Sequence, residues 1–298
     1  MLISTTHEGI YHKVKDDKKA IKIIKDAGFT AYDFSLCEQP NLLWQDNYLD
    51  YAKELREYAD SIGIICNQTH ATYPTGLNES NTFEELARHS KNLGVECDSF
   101  EKYNEKTREK ILREIAFSGV LGAKVCVIHP KARASMEENT NFYLSLEAAA
   151  RKYNVKIGVE NIYDWIKGTG IVDAPCSNHH SFKQQLDKLP ADVFVGCIDI
   201  GHAEIAVLNT SASQMVETLG DRMGAMHLHD VDLVRDNHFL PFSLKVDYLP
   251  IVESLKKIGY QGDITLEANV WKNLPDELLP EFARWLAIIA AWFQEKVQ

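Results

Sequence analysis

The stretch KVCVIHP (residues 124–130) decides the fold, because a short run of β-branched residues ends there in a polar side chain, His129. A run of this length and composition, closed by proline, predicts a buried strand. The same pattern recurs along the chain and predicts eight strands: Leu2 to Thr5, Ala31 to Ser35, Gly63 to Gln68, Lys124 to His129, Lys156 to Glu160, Val193 to Asp199, Gly224 to His229 and Asp263 to Glu267.

Longer stretches with helical spacing alternate with these strands, and they predict helices at 16–28, 48–63, 105–122, 142–154, 180–190, 211–222, 246–259 and 277–297. Eight βα units in 298 residues predict an α/β fold, a TIM (β/α)8 barrel formed by a single domain over residues 1–298. A doubly wound open sheet is the alternative. It is disfavoured because STTHEGIYHK, after the first strand, lacks the GxGxxG phosphate fingerprint.

Composition narrows the choice of partners and compartment. The net charge of -11 repels polyanions, so nucleic acid is not an expected partner. No signal peptide or membrane-spanning run is evident in the sequence, so we expect no membrane partner and a cytoplasmic protein. The six cysteines occur singly, without CxxC pairs, as is typical of reduced core residues.

Polar residues close six of the predicted strands: His70, His129, Glu160, Asp199, His227 and Glu267. Each of them alone is more simply explained as a hydrogen-bonding or salt-bridge residue. Together they would meet at the carboxyl end of the barrel, where TIM barrels hold their active sites. Burying three carboxylates there is costly unless a cation compensates them, so the set predicts a divalent metal site.

Five motifs resemble one known family: VCVIHP (125–130), IGVENI (157–162), CIDIGHAEI (197–205), MHLHDVD (226–232) and GYQGDITLEA (259–268). The family is that of the xylose isomerase-like TIM barrels, which includes sugar phosphate isomerases and epimerases and the family 2 AP endonucleases. The resemblance implies that Glu160, Asp199, His227 and Glu267 hold the catalytic metal. It also matches His202 to a histidine that contacts substrate or a further metal.

The first functional hypothesis is an aldose-ketose isomerase or a ketose epimerase that removes a proton beside a carbonyl and passes through an enediolate. Glu160 and Glu267 are the expected acid and base, one on each face of a sugar or sugar phosphate. The donor set favours manganese, with magnesium, cobalt or zinc as alternatives. Substrate contacts are expected from five histidines: His70, His129, His202, His229 and His238. A homodimer or homotetramer is the expected assembly.

Two other enzymes use similar residues. A nuclease resembling endonuclease IV would use three zinc ions, and its pattern matches nine residues: His70, His129, Glu160, Asp199, His202, His227, Asp236, His238 and Glu267. The negative charge of the chain disfavours it, because binding to DNA requires a basic groove. A dehydratase acting on a keto-sugar or inositol derivative would share the same proton abstraction. A barrel that binds sugar without catalysis is the weakest of these hypotheses.

The MHLHD motif allows a separate prediction for each polar residue. His227 is the expected metal ligand, and His229, one layer higher, is the expected substrate contact. Asp230 should point away and anchor a loop. In that loop, Phe242 and Leu244 stand where many relatives have the two glycines of a Pro-Gly-x-Gly turn.

Some loop residues remain open candidates. Aromatic walls for a sugar are expected from Trp44, Trp165 and Phe239, although ordinary packing explains each of them equally well. A phosphate would be met by Lys131, Arg133 or Lys245, although isolated basic loop residues are usually solvated.

Overall fold

The barrel strands form where the apolar runs predict them. A computed structural model describes residues 1–268 and 274–298. Its strands are β1 (Ile3–Thr5), β2 (Ala31–Ser35), β3 (Ile65–His70), β4 (Val125–Ile128), β5 (Lys156–Glu160), β6 (Asp164–Ile166), β7 (Gly170–Val172), β8 (Phe194–Asp199), β9 (Met223–His227) and β10 (Ile264–Leu266). All eight predicted strands are confirmed. The antiparallel pair β6–β7 is a hairpin that the sequence did not predict.

Parallel pairing closes the strands into a ring. One sheet has the order β2-β3-β4-β5-β8-β9, and β1 pairs with β10. Two isolated parallel bridges join these parts, Thr6 to Asp33 on one side and Leu228 to Leu266 on the other. The TIM barrel prediction is therefore confirmed, and the open doubly wound sheet is excluded.

The helices surround the ring, and most of them follow the predicted periodicity. They are α1 (Glu8–Val14), α2 (Asp17–Ala27), α3 (Tyr48–Ile62), α4 (Phe83–Leu93), α5 (Phe100–Leu121), α6 (Met136–Leu144), α7 (Glu147–Tyr153), α8 (His179–Asp187), α9 (Ile200–Ala203), α10 (Ala212–Leu219), α11 (Tyr248–Lys257) and α12 (Leu279–Val297). In the described part of the chain, none of them is long and apolar enough to span a membrane. All six cysteines are free thiols.

The predicted helix over 142–154 is wrong in one respect, because it is broken between α6 and α7. Ser145 explains the break: its hydroxyl donates back to the carbonyl of Phe142 at 2.7 Å. Arg108 donates to the hydroxyl and to the carbonyl of Ser145. The hydroxyl of Ser145 and the guanidinium of Arg108 thus satisfy the carbonyls of Phe142 and Ser145, which a continuous helix would satisfy with backbone N–H groups.

The barrel interior holds both apolar and polar side chains. One small apolar cluster is formed by Val125, Val127, Val195, Cys197 and Ala225. Buried hydrogen bonds also cross the interior, where the hydroxyl of Ser4 donates to Thr265 at 2.8 Å and Thr265 donates to Gln68 at 3.3 Å. Gln68 is the register partner of Val125, so the polar and apolar groups meet between β3 and β4.

Candidate metal centre and active site

The four predicted metal ligands meet at the carboxyl ends of β5, β8, β9 and β10. Glu160, Asp199, His227 and Glu267 are all buried, and one ligand atom from each lies within 4.8 Å of the others. Nδ1 of His227 lies 3.0 Å from Oε1 of Glu160 and 3.1 Å from Oε2 of Glu267. The barrel thus gathers residues more than 100 positions apart in sequence into one donor cluster.

The charges of this cluster fit a divalent cation. Burial opposes ionisation of Glu160, but His129 and His227 lower its pKa well below the usual range. The pKa of Glu267 is also low, because His227 and His238 outweigh the burial. Three carboxylates surround one imidazole in a buried site, so a cation would offset the excess negative charge. Oxygen donors with one nitrogen suit manganese or magnesium.

Mn²⁺ binding is expected to release protons from this cluster. Burial opposes the charged form of His227, but Cys197, Glu267 and Glu160 hold its pKa well above the usual value. The metal-free imidazole is therefore protonated at pH 7, whereas a metal ligand must be neutral. Affinity for Mn²⁺ should rise with pH. Calorimetry in buffers of different ionisation enthalpy would measure the release, and an affinity that is equal at pH 6 and pH 8 would contradict it.

A second cluster shares Glu160 with the first. Nε2 of His129 lies 2.8 Å and Nε2 of His70 lies 3.2 Å from Oε2 of that carboxylate. Each histidine follows or ends its strand as predicted. Both line a cavity that opens at this end of the barrel, which we call the main cavity. Glu160 is therefore positioned between two groups of nitrogen and oxygen donors.

A third cluster forms around Asp236. Nε2 of His202 and Nε2 of His238 each lie 3.1 Å from Oδ2 of Asp236. Burial lowers the pKa of His238, but Asp236 outweighs this and raises it to about 10. One donor atom each from His202, His229, Asp236 and His238 lies within 4.8 Å of the others. All the residues of the endonuclease-like pattern thus fall into three adjoining clusters.

His229, the predicted substrate contact, lies behind Asp199 and outside the cavity lining. Its side chain is fully buried, and Nε2 lies 3.0 and 2.9 Å from the two oxygens of Asp199. Its ring stacks on His238 with centroids 4.0 Å apart. It is absent from the residues that line the cavity, whereas His70, His129, His202 and His238 line it. The geometry therefore suits a residue that orients Asp199.

The contact between His229 and Asp199 explains the glycine of the Asp-x-Gly-His motif, residues 199–202. Asp199 accepts a hydrogen bond from the backbone of His202 and caps α9. Between them, Gly201 leaves room for the ring of His229, since a Cβ at that position would lie 2.0 Å from Cε1 of the imidazole. The glycine is required by close packing rather than by backbone conformation.

Gly201→Ala should consequently displace His229 from Asp199. Overpacking of this kind typically costs about 1–3 kcal/mol of stability. We expect the variant to fold with a lower Tm and to bind Mn²⁺ more weakly than the wild type. Thermal unfolding and metal titration would check both effects, with Gly168→Ala as a control. Gly168 has no atom within 4 Å of an added Cβ, although its positive φ adds some strain of its own. Unchanged Mn²⁺ affinity in Gly201→Ala would contradict the steric argument.

Two buried residues next to the four-residue cluster were not predicted as site residues from the sequence. The amide of Gln68 lies 2.8 Å from Nε2 of His227, the ring nitrogen opposite the one that meets Glu160 and Glu267. Asp33 lies close to both, and burial raises its pKa to about 6. A charged residue inside the strand AYDFS is the signal that could have identified Asp33. Gln68 carries no comparable signal.

Asn161 was also missed, although it ties two strand ends together. Its side chain accepts from the backbone nitrogen of Asp199 at 2.7 Å and donates to the carbonyl of Asp199 at 2.9 Å. Its own carbonyl lies 2.9 Å from Nδ1 of His202. Asn161 therefore fixes Asp199 and His202 relative to Glu160, its neighbour in sequence.

The main cavity has a volume of about 610 Å³ and opens above these clusters. Of the predicted aromatic walls, Trp165 lines it, whereas Trp44 and Phe239 do not. The ring nitrogen of Trp44 instead donates to the carbonyl of Leu93.

Two arginines of the described chain, Arg88 and Arg133, line the cavity, whereas Lys131 and Lys245 lie outside its lining. The guanidinium of Arg133 donates to Ser80 and to the carbonyl of Trp165, so it joins neighbouring loops. The described lining also includes carboxylates outside the four-residue cluster, among them Glu38 and Asp164.

The loop after β9 is anchored as predicted. The carboxylate of Asp230 accepts hydrogen bonds from the backbone nitrogens of Leu244, Lys245 and Val246. Phe242 holds a left-handed φ of 71°, a conformation that favours glycine. Its ring stacks on Phe293 with centroids 5.5 Å apart and also contacts Trp292.

Phe242 therefore combines backbone strain with aromatic packing. A left-handed conformation costs a non-glycine residue about 1–2 kcal/mol. Alanine at position 242 would keep this strain and lose the aromatic contacts, whereas glycine would lose the contacts but relieve the strain. We expect Phe242→Ala to be less stable than Phe242→Gly by about 1 kcal/mol. Urea denaturation of the two variants beside wild type would measure the difference. Equal stability, or a more stable alanine variant, would contradict the expectation.

Comparison with known proteins agrees with this architecture. Residues 21–289 match the model of the xylose isomerase-like TIM barrel family, and the chain belongs to that family. It is 24% identical over 280 residues to an uncharacterized protein of Sinorhizobium fredii, covering 88% of this chain and 83% of the relative.

Two solved structures show the same fold. One is a D-tagatose 3-epimerase-like protein, with a TM-score of 0.70, 21% identity and coverage of 100% of this chain and 98% of the other. The second is the 3-keto-D-glucoside 4-epimerase of E. coli, with a TM-score of 0.63, 15% identity and coverage of 91% and 94%. At these identities the likeness concerns the fold.

Proposed function

We propose that the protein is a metal-dependent sugar epimerase or isomerase. The observation that carries the proposal is the buried cluster of Glu160, Asp199, His227 and Glu267, in which two glutamates flank one imidazole nitrogen. The epimerases among the solved structures of this fold support a sugar as the substrate. Manganese is the metal we propose, and the cytoplasm is the proposed compartment.

The chemistry requires a base and an acid beside a carbonyl carbon. Glu160 and Glu267 have pKa values below the usual range, so each is ionised and able to accept a proton at neutral pH. One would take the proton from the carbon and, in an isomerisation, return it at the neighbouring carbon. In an epimerisation the other glutamate would first take up a proton from solvent and then deliver it to the opposite face, and the first would release its proton to solvent. When bound by the four residues, a divalent cation supplies Lewis acidity that offsets the developing enediolate charge.

The cavity favours an uncharged sugar over a sugar phosphate. Its described lining holds several carboxylates, and the guanidinium of Arg133 is occupied by Ser80 and Trp165. Arg88, the other arginine of that lining, lies 3.2 Å from the ring nitrogen of His89. Phosphate is usually bound by arginine N–H groups in a fork geometry, and here carboxylates outnumber the two arginines. We therefore propose a free ketose or aldose as the substrate.

Deuterium exchange tests the proposal directly. Purified protein with Mn²⁺ is incubated in heavy water with a panel of ketoses and aldoses, and NMR follows carbon-bound deuterium and the formation of stereoisomers. We expect deuterium at the carbon beside the carbonyl of at least one sugar. Absence of exchange with every sugar, in protein shown to bind Mn²⁺, would overturn the function.

A phosphodiesterase with three metal ions is the second candidate function. Specific support comes from the three adjoining donor clusters, in which Glu160 belongs to two groups and Asp236 joins His202 and His238 in the third. The net charge of -11 argues against a nucleic acid substrate. Three tightly bound zinc ions by elemental analysis, with cleavage of abasic DNA, would favour this candidate over the epimerase.

A further inference from the structure

A side groove adjoins the main cavity and has no role in the proposed proton transfer. Its volume is about 760 Å³, and its walls are Tyr163, Trp165 and Ile171 of the hairpin segment, residues 205–207, and residues 233–236. Tyr163, Trp165 and Asp236 line both this groove and the main cavity. The two spaces therefore adjoin at these three side chains, and a ligand that occupied both would cross over them.

The groove walls expose several large apolar side chains close together. Val207 is 66% exposed, Val234 is 64% exposed and Trp165 is 55% exposed. Arg235 is paired with Asp232, so its guanidinium already has a partner. Leu233, in the same wall, holds a positive φ of 67°, and strained residues of this kind cluster at ligand sites. Exposed apolar surface beside a polar cavity is typical of a binding groove.

We propose that the side groove holds a second ring of the substrate, so that the protein acts on an uncharged sugar carrying a glycosyl substituent. The reacting sugar lies over the metal cluster, and the substituent packs its C–H face on Trp165 and the branched side chains of Val207 and Val234. Burial of this apolar surface supplies the affinity. The inference rests on the proposed function, because it assumes a sugar over the metal cluster.

The test compares two ligands that differ only in the second ring. Calorimetry with Mn²⁺-loaded protein measures the affinity for D-fructose and for isomaltulose, which is fructose with a glucosyl group on O6. Lactulose, with a galactosyl group on O4, examines a second attachment point. We expect at least one disaccharide to bind about tenfold more tightly than fructose. Val234→Glu should bring that ratio close to one.

Leu249→Glu provides the matched control, because Leu249 is 65% exposed on α11 and lies outside the groove lining. It should keep the ratio of the wild type. Equal affinity for fructose and both disaccharides, no sugar binding at all, or an unchanged ratio in Val234→Glu would each overturn the groove assignment. So would a Val234→Glu variant whose main effect, by sedimentation, is a changed oligomeric state.

Deuterium exchange separates this inference from the proposed function. Exchange into fructose without any preference for disaccharides overturns the groove assignment and leaves the epimerase proposal in place. A preference that Val234→Glu removes, without exchange in any sugar, supports the groove as a saccharide site and overturns the catalytic proposal.

Discussion

Glu267→Gln is expected to slow deuterium incorporation into the substrate by about 10²–10⁴-fold, the usual contribution of a general acid or base. The amide keeps the size of the side chain and one potential ligand oxygen but cannot accept the proton. Nδ1 of His227 lies 3.1 Å from Oε2 of Glu267, so the substitution also removes a charge from the metal cluster. The rate should therefore be measured at saturating Mn²⁺, with occupancy determined by calorimetry.

Glu38→Gln is the matched control for this measurement. Glu38 lines the same cavity but lies outside the four-residue cluster, and its carboxylate pairs with His12 at 2.7 Å. If Glu267→Gln exchanged deuterium within tenfold of the wild type at equal Mn²⁺ occupancy, Glu267 would be only a ligand. A comparable loss in Glu38→Gln would show that the cavity responds to any lost charge.

The barrel could be predicted from the sequence because its strands are signalled locally. Buried parallel strands are nearly continuous apolar runs, and KVCVIHP and its counterparts have this character without tertiary information. The hairpin β6–β7 gave no such signal, since its six residues include Gly170 and an exposed Trp165. Short ribbons of this kind depend on neighbouring loops, which sequence periodicity does not report.

The metal cluster could be predicted because the carboxyl ends of all barrel strands meet at one face. That rule is enough to predict that Glu160 and Glu267 lie close together, even when the directions of their side chains are unknown. It does not predict which nitrogen or oxygen atom each side chain contacts. The contact of Gln68 with His227 and the contact of His229 with Asp199 depend on side-chain placement within the barrel, which the sequence pattern does not report.

His229→Gln separates the two roles considered for this residue. As a substrate contact, His229 would affect turnover and leave metal content unchanged. As the partner of Asp199, it should affect Mn²⁺ affinity, since loss of a hydrogen-bonding residue behind a metal ligand typically costs about 10–100-fold. The 2.9 Å distance from Nε2 to Oδ2 of Asp199 favours the second outcome. Calorimetric titration of the metal-free variant measures it.

Gly201→Ala disturbs the contact between His229 and Asp199 without changing either residue. Its added methyl would collide with the imidazole of His229, so both single variants should weaken Mn²⁺ binding by disturbing Asp199. If His229 carries the effect, the double variant should lose no more affinity than the stronger single variant, because residues that act through one contact are not additive. Additive losses would mean that Gly201 acts on the site by another path. Wild-type Mn²⁺ affinity in His229→Gln would return His229 to the substrate role.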